Sequence, residues 1–128
     1  MIELITPAES AGLTRYGLSK GASTGRFVLT AGMALDVEKL RRMEAADTVT
    51  SEAGICLGNI DKFLRDQGMS SRDIVKITAY VTGHELIDEL KAALEAYFAP
   101  DTCPVTAFLV VGIAGDCRVE LDVIAARR

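Results

Sequence analysis

No run of apolar residues in this chain is long enough to cross a membrane. The longest, Phe108–Ala114, falls far short of the roughly 20 residues that a spanning helix needs, and Val123–Ala126 is shorter still. The N-terminus, Met-Ile-Glu-Leu-Ile-Thr-Pro, has neither a basic region nor a long apolar stretch, so no secretory signal is expected. Cysteine is scarce. Cys56, Cys103 and Cys117 are an odd number without C-x-x-C spacing, which argues against a disulfide framework and against a zinc site. These absences predict a reducing, cytoplasmic setting and no membrane partner.

Positive charge is also in short supply. Fourteen Lys and Arg against eighteen Asp and Glu leave a formal charge of −4, and the only close basic pairs are Arg41-Arg42 and Arg127-Arg128. Nucleic-acid binding rests on a basic face that neutralises phosphates, so no nucleic-acid partner is expected. His84 is the only histidine; a Ser–His–acid triad has no support, and a role at a helix start or on the surface is the expected one. No linker, repeat or low-complexity tract divides the 128 residues, which predicts a single domain over 1–128. With 49% hydrophobic and 25% charged residues, disorder by composition is excluded.

What is present is a sequence of short periodic segments. Glu3–Thr6, Tyr16–Ser19 and Arg26–Ala31 read as strands separated by turns at Gly12, Gly21 and Gly25. Asp36–Thr48 reads as a charged loop. From Thr50 to Gln67 the period becomes helical: Ala53, Cys56, Leu57, Ile60 and Leu64 form one stripe, and Glu52, Asn59, Asp61, Arg65 and Asp66 the other side. Gly68 is placed to end this helix in the left-handed region. Ile74–Val81 alternates as a strand, with Val75, Ile77, Ala79 and Val81 against Ile74, Lys76, Thr78 and Tyr80. A second helix is predicted from about Glu85 to Phe98, stopped by Pro100. Strands Val105–Val111 and Arg118–Ala125 follow, joined by a turn over Gly112–Asp116.

The order βββαβαββ implies an α+β fold with one mixed sheet. Both helices make right-handed crossovers and so lie on one face. Tyr80, Phe108, Val110 and Ile124 are assigned to the other, uncovered face, opposite Val81, Leu109, Val111 and Val123. An apolar sheet face left in water is unusual for a monomer, so self-association is expected.

These elements and their residues resemble the RidA/YjgF family. The resemblance runs from about Tyr16 to the C-terminus. It is carried by Leu57-Gly58-Asn59-Ile60, Gly68, Asp73-Ile74-Val75-Lys76-Ile77-Thr78-Ala79-Tyr80-Val81-Thr82, Tyr97-Phe98 and Val119-Glu120-Leu121-Asp122-Val123-Ile124-Ala125. It implies a chorismate-mutase-like fold and a homotrimer with sites in clefts between subunits. The activity it implies is hydrolysis of small enamines and imines, such as 2-aminoacrylate, to a 2-keto acid and ammonia, with no metal or organic cofactor.

The resemblance also points to site residues. Glu120 matches an acidic residue of the final strand that positions or activates water, chemistry open to a carboxylate close to the reacting carbon; the alternative is an outward strand residue paired with Arg118. Tyr16 matches a tyrosine at the cleft, Gly32 a glycine that lets backbone approach the ligand, and Thr106 a hydroxyl residue. Each has a plainer alternative: a rim filler, a turn glycine, a strand threonine. Deaminating members carry an arginine in a Pro-x-Arg-Ser/Thr context that grips the substrate carboxylate with two prongs. Here Cys103-Pro104-Val105-Thr106 places Val105 there, and no arginine lies between Leu90 and Cys117. Lys91 and Leu94 replace a frequent asparagine and tyrosine of the second helix. Arg118, Lys91 and Lys20 are the candidate replacement cations; Arg118 is favoured by its place two residues before Glu120, on what should be the same strand face. Cys103 lacks positive sequence neighbours and is read as a passive thiol.

Three functions follow. The first is a RidA-like hydrolytic deaminase whose specificity is altered by Val105 toward a less charged enamine or imine without the usual α-carboxylate. The second is a non-catalytic metabolite-binding or regulatory trimer. The third, a ribonuclease, is opposed by the acidic balance and the single histidine.

Overall fold

Thr48 begins the longest helix of the chain. Its hydroxyl accepts from the Ser51 amide at 3.0 Å, and its own amide donates to the Ser51 hydroxyl at 3.0 Å. Two otherwise unpaired donors at the helix start are thereby satisfied. The structure, a computed structural model, describes residues 1–128. This helix, α1, spans Val49–Asp66, with Gly68 beyond it at φ +76°. Ala53, Cys56, Leu57, Ile60 and Leu64 are buried as their spacing predicts.

Six strands form the main sheet: β1 (Glu3–Ile5), β2 (Gly21–Ser23), β3 (Phe27–Met33), β6 (Ile74–Val81), β7 (Val105–Val110) and β8 (Val119–Ala126), in the order β1-β2-β3-β8-β6-β7. Only β6 and β7 are parallel neighbours; the other pairs are antiparallel. β8 runs down the middle, paired with β3 from Phe27↔Ala126 to Met33↔Glu120 and with β6 from Ile74↔Ala125 to Val81↔Val119. The second helix, α2 (Ile87–Phe98), buries Leu90, Leu94 and Phe98. Both helices contribute to one buried cluster with Val28, Ile77, Ala79, Val119, Leu121 and Val123 of the sheet. This is the α+β arrangement that the order of elements implied, one mixed sheet with the helices on one face.

Four local expectations are corrected. Tyr16–Ser19 is not a strand: Ala8–Tyr16 is a 3₁₀ helix, closed by Gly17 at φ +74°, and β2 begins later. Within the expected loop Asp36–Thr48 lies a small hairpin, β4 (Leu35–Asp36) paired with β5 (Arg41–Arg42). Along β6 the alternation breaks between Ile74 and Lys76, where the register with β8 shifts. Ile74 and Ile77 are therefore both buried and Val75 is exposed, as an inserted residue in a ladder requires. The faces of β7 are also reversed. Leu109 sits beside Tyr80 on the bare face, and Phe108 packs against the helix-side core. Phe108–Val111 is apolar throughout, so only its register with β6 decides which side each residue takes.

Candidate functional site

Along β8 the odd residues Val119, Leu121, Val123 and Ala125 are buried under the helices. The alternation of a strand sends Glu120, Asp122 and Ile124 to the bare face. Glu120 is half-buried between its register partners Met33 of β3 and Tyr80 of β6. Next to Met33 the sheet is incomplete. The last β2–β3 pair is Gly21↔Thr30, so the edge of β3 beyond Thr30 has no strand beside it. Side chains close that edge: the Lys20 ammonium donates to the Ala31 carbonyl at 2.8 Å, and the Asn59 amide nitrogen to the Met33 carbonyl at 3.2 Å.

The gap opens into a cavity of about 440 Å³, floored by β3 and β8 and walled by the 3₁₀ segment, the β4–β5 hairpin region and α1. Leu13, Leu18, Met33, Leu35, Val37 and Met43 make most of its wall apolar; Lys20 and Glu120 both face into it. A mostly apolar pocket with a few convergent polar groups is the ordinary form of a small-molecule site.

Burial acts on the two charges in opposite directions. It raises the Glu120 carboxyl above the usual 4.5, with the Asp122 charge adding to the rise and Lys20 opposing it. It lowers the Lys20 ammonium from 10.5, against the pull of Cys56 and Glu120. Lys20 and Glu120 thus favour each other's ionised forms without a direct ion pair. A carboxylate so placed is a better base than one in water.

Of the six site residues expected from sequence, Glu120 alone lines this cavity. Tyr16 ends the 3₁₀ helix, 45% exposed, with the Arg15 guanidinium 5.1 Å from its ring centroid. Gly32 serves packing within β3: a side-chain carbon there would lie 2.6 Å from the Cys56 carbonyl and 2.8 Å from Ile60. Val105 packs against the core, and the Thr106 hydroxyl donates to the Ile77 carbonyl at 3.3 Å. Arg118 does not share the face of Glu120. It precedes β8, and its guanidinium turns to α1, donating to the fully buried Glu52 at 2.8 Å and to the Ala46 carbonyl at 2.8 Å. Glu52 also accepts from the Arg118 and Val119 amides, at 2.7 and 3.0 Å. It is therefore not on the solvent side of α1.

Lys91 is exposed on α2, 3.9 Å from Glu95. His84 is exposed in a short 3₁₀ turn away from the cavity. Cys103 is half-buried, and its thiol is raised by that burial. Leu18, Met33, Leu35, Met43 and Asn59 escaped sequence reasoning. They come from four segments that only the folded edge of β3 brings together.

The family model described as Endoribonuclease L-PSP matches residues 9–127. The chain belongs to the RidA/YjgF family. Solved structures of that family agree in fold. A YjgF-family protein from Mycobacterium tuberculosis superposes with a TM-score of 0.78 at 22% identity, over 99% of this chain and 100% of the other. The YjgF gene product from E. coli gives 0.74 at 23%, over 87% and 88%. RidA from an Antarctic Psychrobacter gives 0.73 at 22%, over 86% and 88%. No curated protein matches the sequence. The sequence has no arginine anywhere from Leu90 to Cys117.

Proposed function

We propose that this chain is a RidA-type hydrolase that deaminates a small enamine or imine in the cavity at Glu120, as part of a homotrimer. The observation that carries the reading is Glu120 itself: a half-buried carboxyl, raised by burial, facing a cavity of metabolite size. In its ionised form Glu120 holds a water and takes its proton as the oxygen attacks the C=N carbon. Glu120 returns that proton to the nitrogen of the resulting aminoalcohol, and takes the hydroxyl proton as ammonia leaves and the carbonyl forms. The Lys20 charge opposes the rise that burial imposes on the Glu120 carboxyl. Val105 and Thr106 lie on the edge strand β7, and in the trimer they would border the cavity from a neighbouring subunit. Val105 then leaves that border uncharged and favours a substrate different from that of arginine-bearing relatives.

The lost arginine supports a second reading, a trimer that binds a metabolite without turning it over. The nuclease activity in the family model's description has no support at this site, which holds no histidine and sits on a chain of net charge −4. Ammonia release from freshly generated 2-imino acids separates the first two. The hydrolase reading expects turnover in the native chain and a loss of about 10²–10⁴-fold in Glu120→Gln, the range for a general base. Ligand-induced stabilisation without ammonia would establish the binding reading instead.

A further inference from the structure

The cations near the cavity differ in what already occupies them. Arg118 is committed to Glu52. Lys62 reaches the rim but is held by Glu9 at 2.6 Å and Asp66 at 3.2 Å. Lys91 lies outside the cavity, on α2. Lys20 is different. It is half-buried, it makes no ion pair, and its one hydrogen bond goes to a neutral carbonyl. Two of its three ammonium hydrogens remain for another acceptor. A buried charge with no counter-ion in contact is unfavourable, and an anion entering the cavity would relieve it.

We infer that Lys20 is the group that holds the substrate's carboxylate in this chain, and that the cavity selects monocarboxylates with an apolar tail. The inference rests on the hydrolase reading for turnover, but not for binding. A carboxylate at Lys20 is repelled by Glu120, so the ligand lies with its acid end at Lys20 and its reacting carbon toward Glu120. The tail is left against Leu13, Leu18, Met33, Leu35 and Met43. Lysine presents a point charge where arginine presents a planar fork. The grip is therefore single-pronged, and the apolar wall carries more of the selectivity. The position is set by the fold: β2 begins at Gly21, and the residue before it spans the open edge of β3 to reach Ala31.

The test is equilibrium binding of two stable 2-keto acids, 2-oxobutyrate and 4-methyl-2-oxopentanoate, with 4-methylpentanamide as an uncharged probe. Lys20→Gln removes the charge while keeping a donor for the Ala31 carbonyl. It should weaken both acids by about 10–100-fold, the range for a charge-assisted hydrogen bond, and leave the amide unchanged. Lys20→Arg should keep acid binding within a few fold. Lys91→Gln should match the native chain, and Glu120→Gln should bind the acids at least as tightly while losing turnover. In native protein with ¹³C,¹⁵N-labelled lysine, the Lys20 side-chain resonance should move on titration with either acid; this reads the contact even if Lys20→Gln does not fold. Acid binding unchanged in folded Lys20→Gln, or a resonance that stays still at saturation, overturns the inference. No acid binding by the native chain also overturns it. Lys20-dependent binding without ammonia release leaves it standing and removes only the hydrolase reading.

Discussion

At the residue scale, Glu120 and Lys20 are shifted toward each other along the pH axis. A hydrolase that needs Glu120 ionised and Lys20 charged has a bell-shaped kcat/KM profile. Its acid limb should lie above the ordinary carboxylate value of 4.5, and its alkaline limb below 10.5. Replacing Glu120 by Gln should remove the acid limb along with most of the rate. The same shift bears on stability. Folded Glu120 holds its proton more tightly than the unfolded chain does, so its ionisation costs stability as pH rises through the carboxylate range. Glu120→Gln should therefore melt higher than the native chain at pH 8, with the difference shrinking below pH 4.5; an unchanged melting temperature at pH 8 would refute the burial of that charge.

Glu52 is the opposite case. It is fully buried and accepts three hydrogen bonds from Arg118 and Val119. Leaving the Arg118 guanidinium without its partner in Glu52→Ala should cost about 3–5 kcal/mol in denaturant unfolding. Glu52 reads as a solvent-facing residue in the sequence because a helical charge usually is one. Its partner lies 66 residues away, beyond any local pattern. Glu120 was legible because its block is contiguous and carries the family resemblance. Lys20 is a candidate replacement cation by sequence, but its contact with β3 depends on where β2 begins.

At the element scale, helices and strands with a clear local period were legible, and register was not. The stripe of α1 predicted much of its buried face but omitted Glu52 and Phe63. The bulge near Val75 and the side chosen by Phe108 depend on pairing with β8 and β7's neighbour β6, and an all-apolar run has no alternation to reveal it. The 3₁₀ helix at Ala8–Tyr16 has no buried residue, so no apolar stripe marks it. The close approach of α1 to β3 gives a test of the packing. Gly32→Ala places a carbon against the Cys56 carbonyl and Ile60, and should destabilise the fold by about 1–3 kcal/mol. Calorimetry showing no loss would mean that α1 sits farther from the sheet.

At the scale of the whole molecule, one sheet face lies under α1 and α2 and the other is bare. Phe27, Leu29 and Leu109 on that bare face are large, apolar and exposed, the kind of surface that marks an interaction site. The proposed trimer would cover it. Sedimentation at micromolar concentration should give a trimer, and Leu29→Glu with Leu109→Lys should shift it toward monomer; a native monomer would leave the bare face unexplained. The trimer also matters to the chemistry, since β7 would then border a neighbour's cavity.

The central claim is that this cavity hydrolyses a C=N bond through Glu120. Its most direct test is ammonia release from freshly generated 2-imino-4-methylpentanoate, comparing native protein with Glu120→Gln at matched fold and oligomeric state. Turnover in the native protein, lost by about 100-fold or more in the variant, is the predicted result. Equal rates in the two proteins, or no release above the spontaneous rate by the native protein, would contradict it.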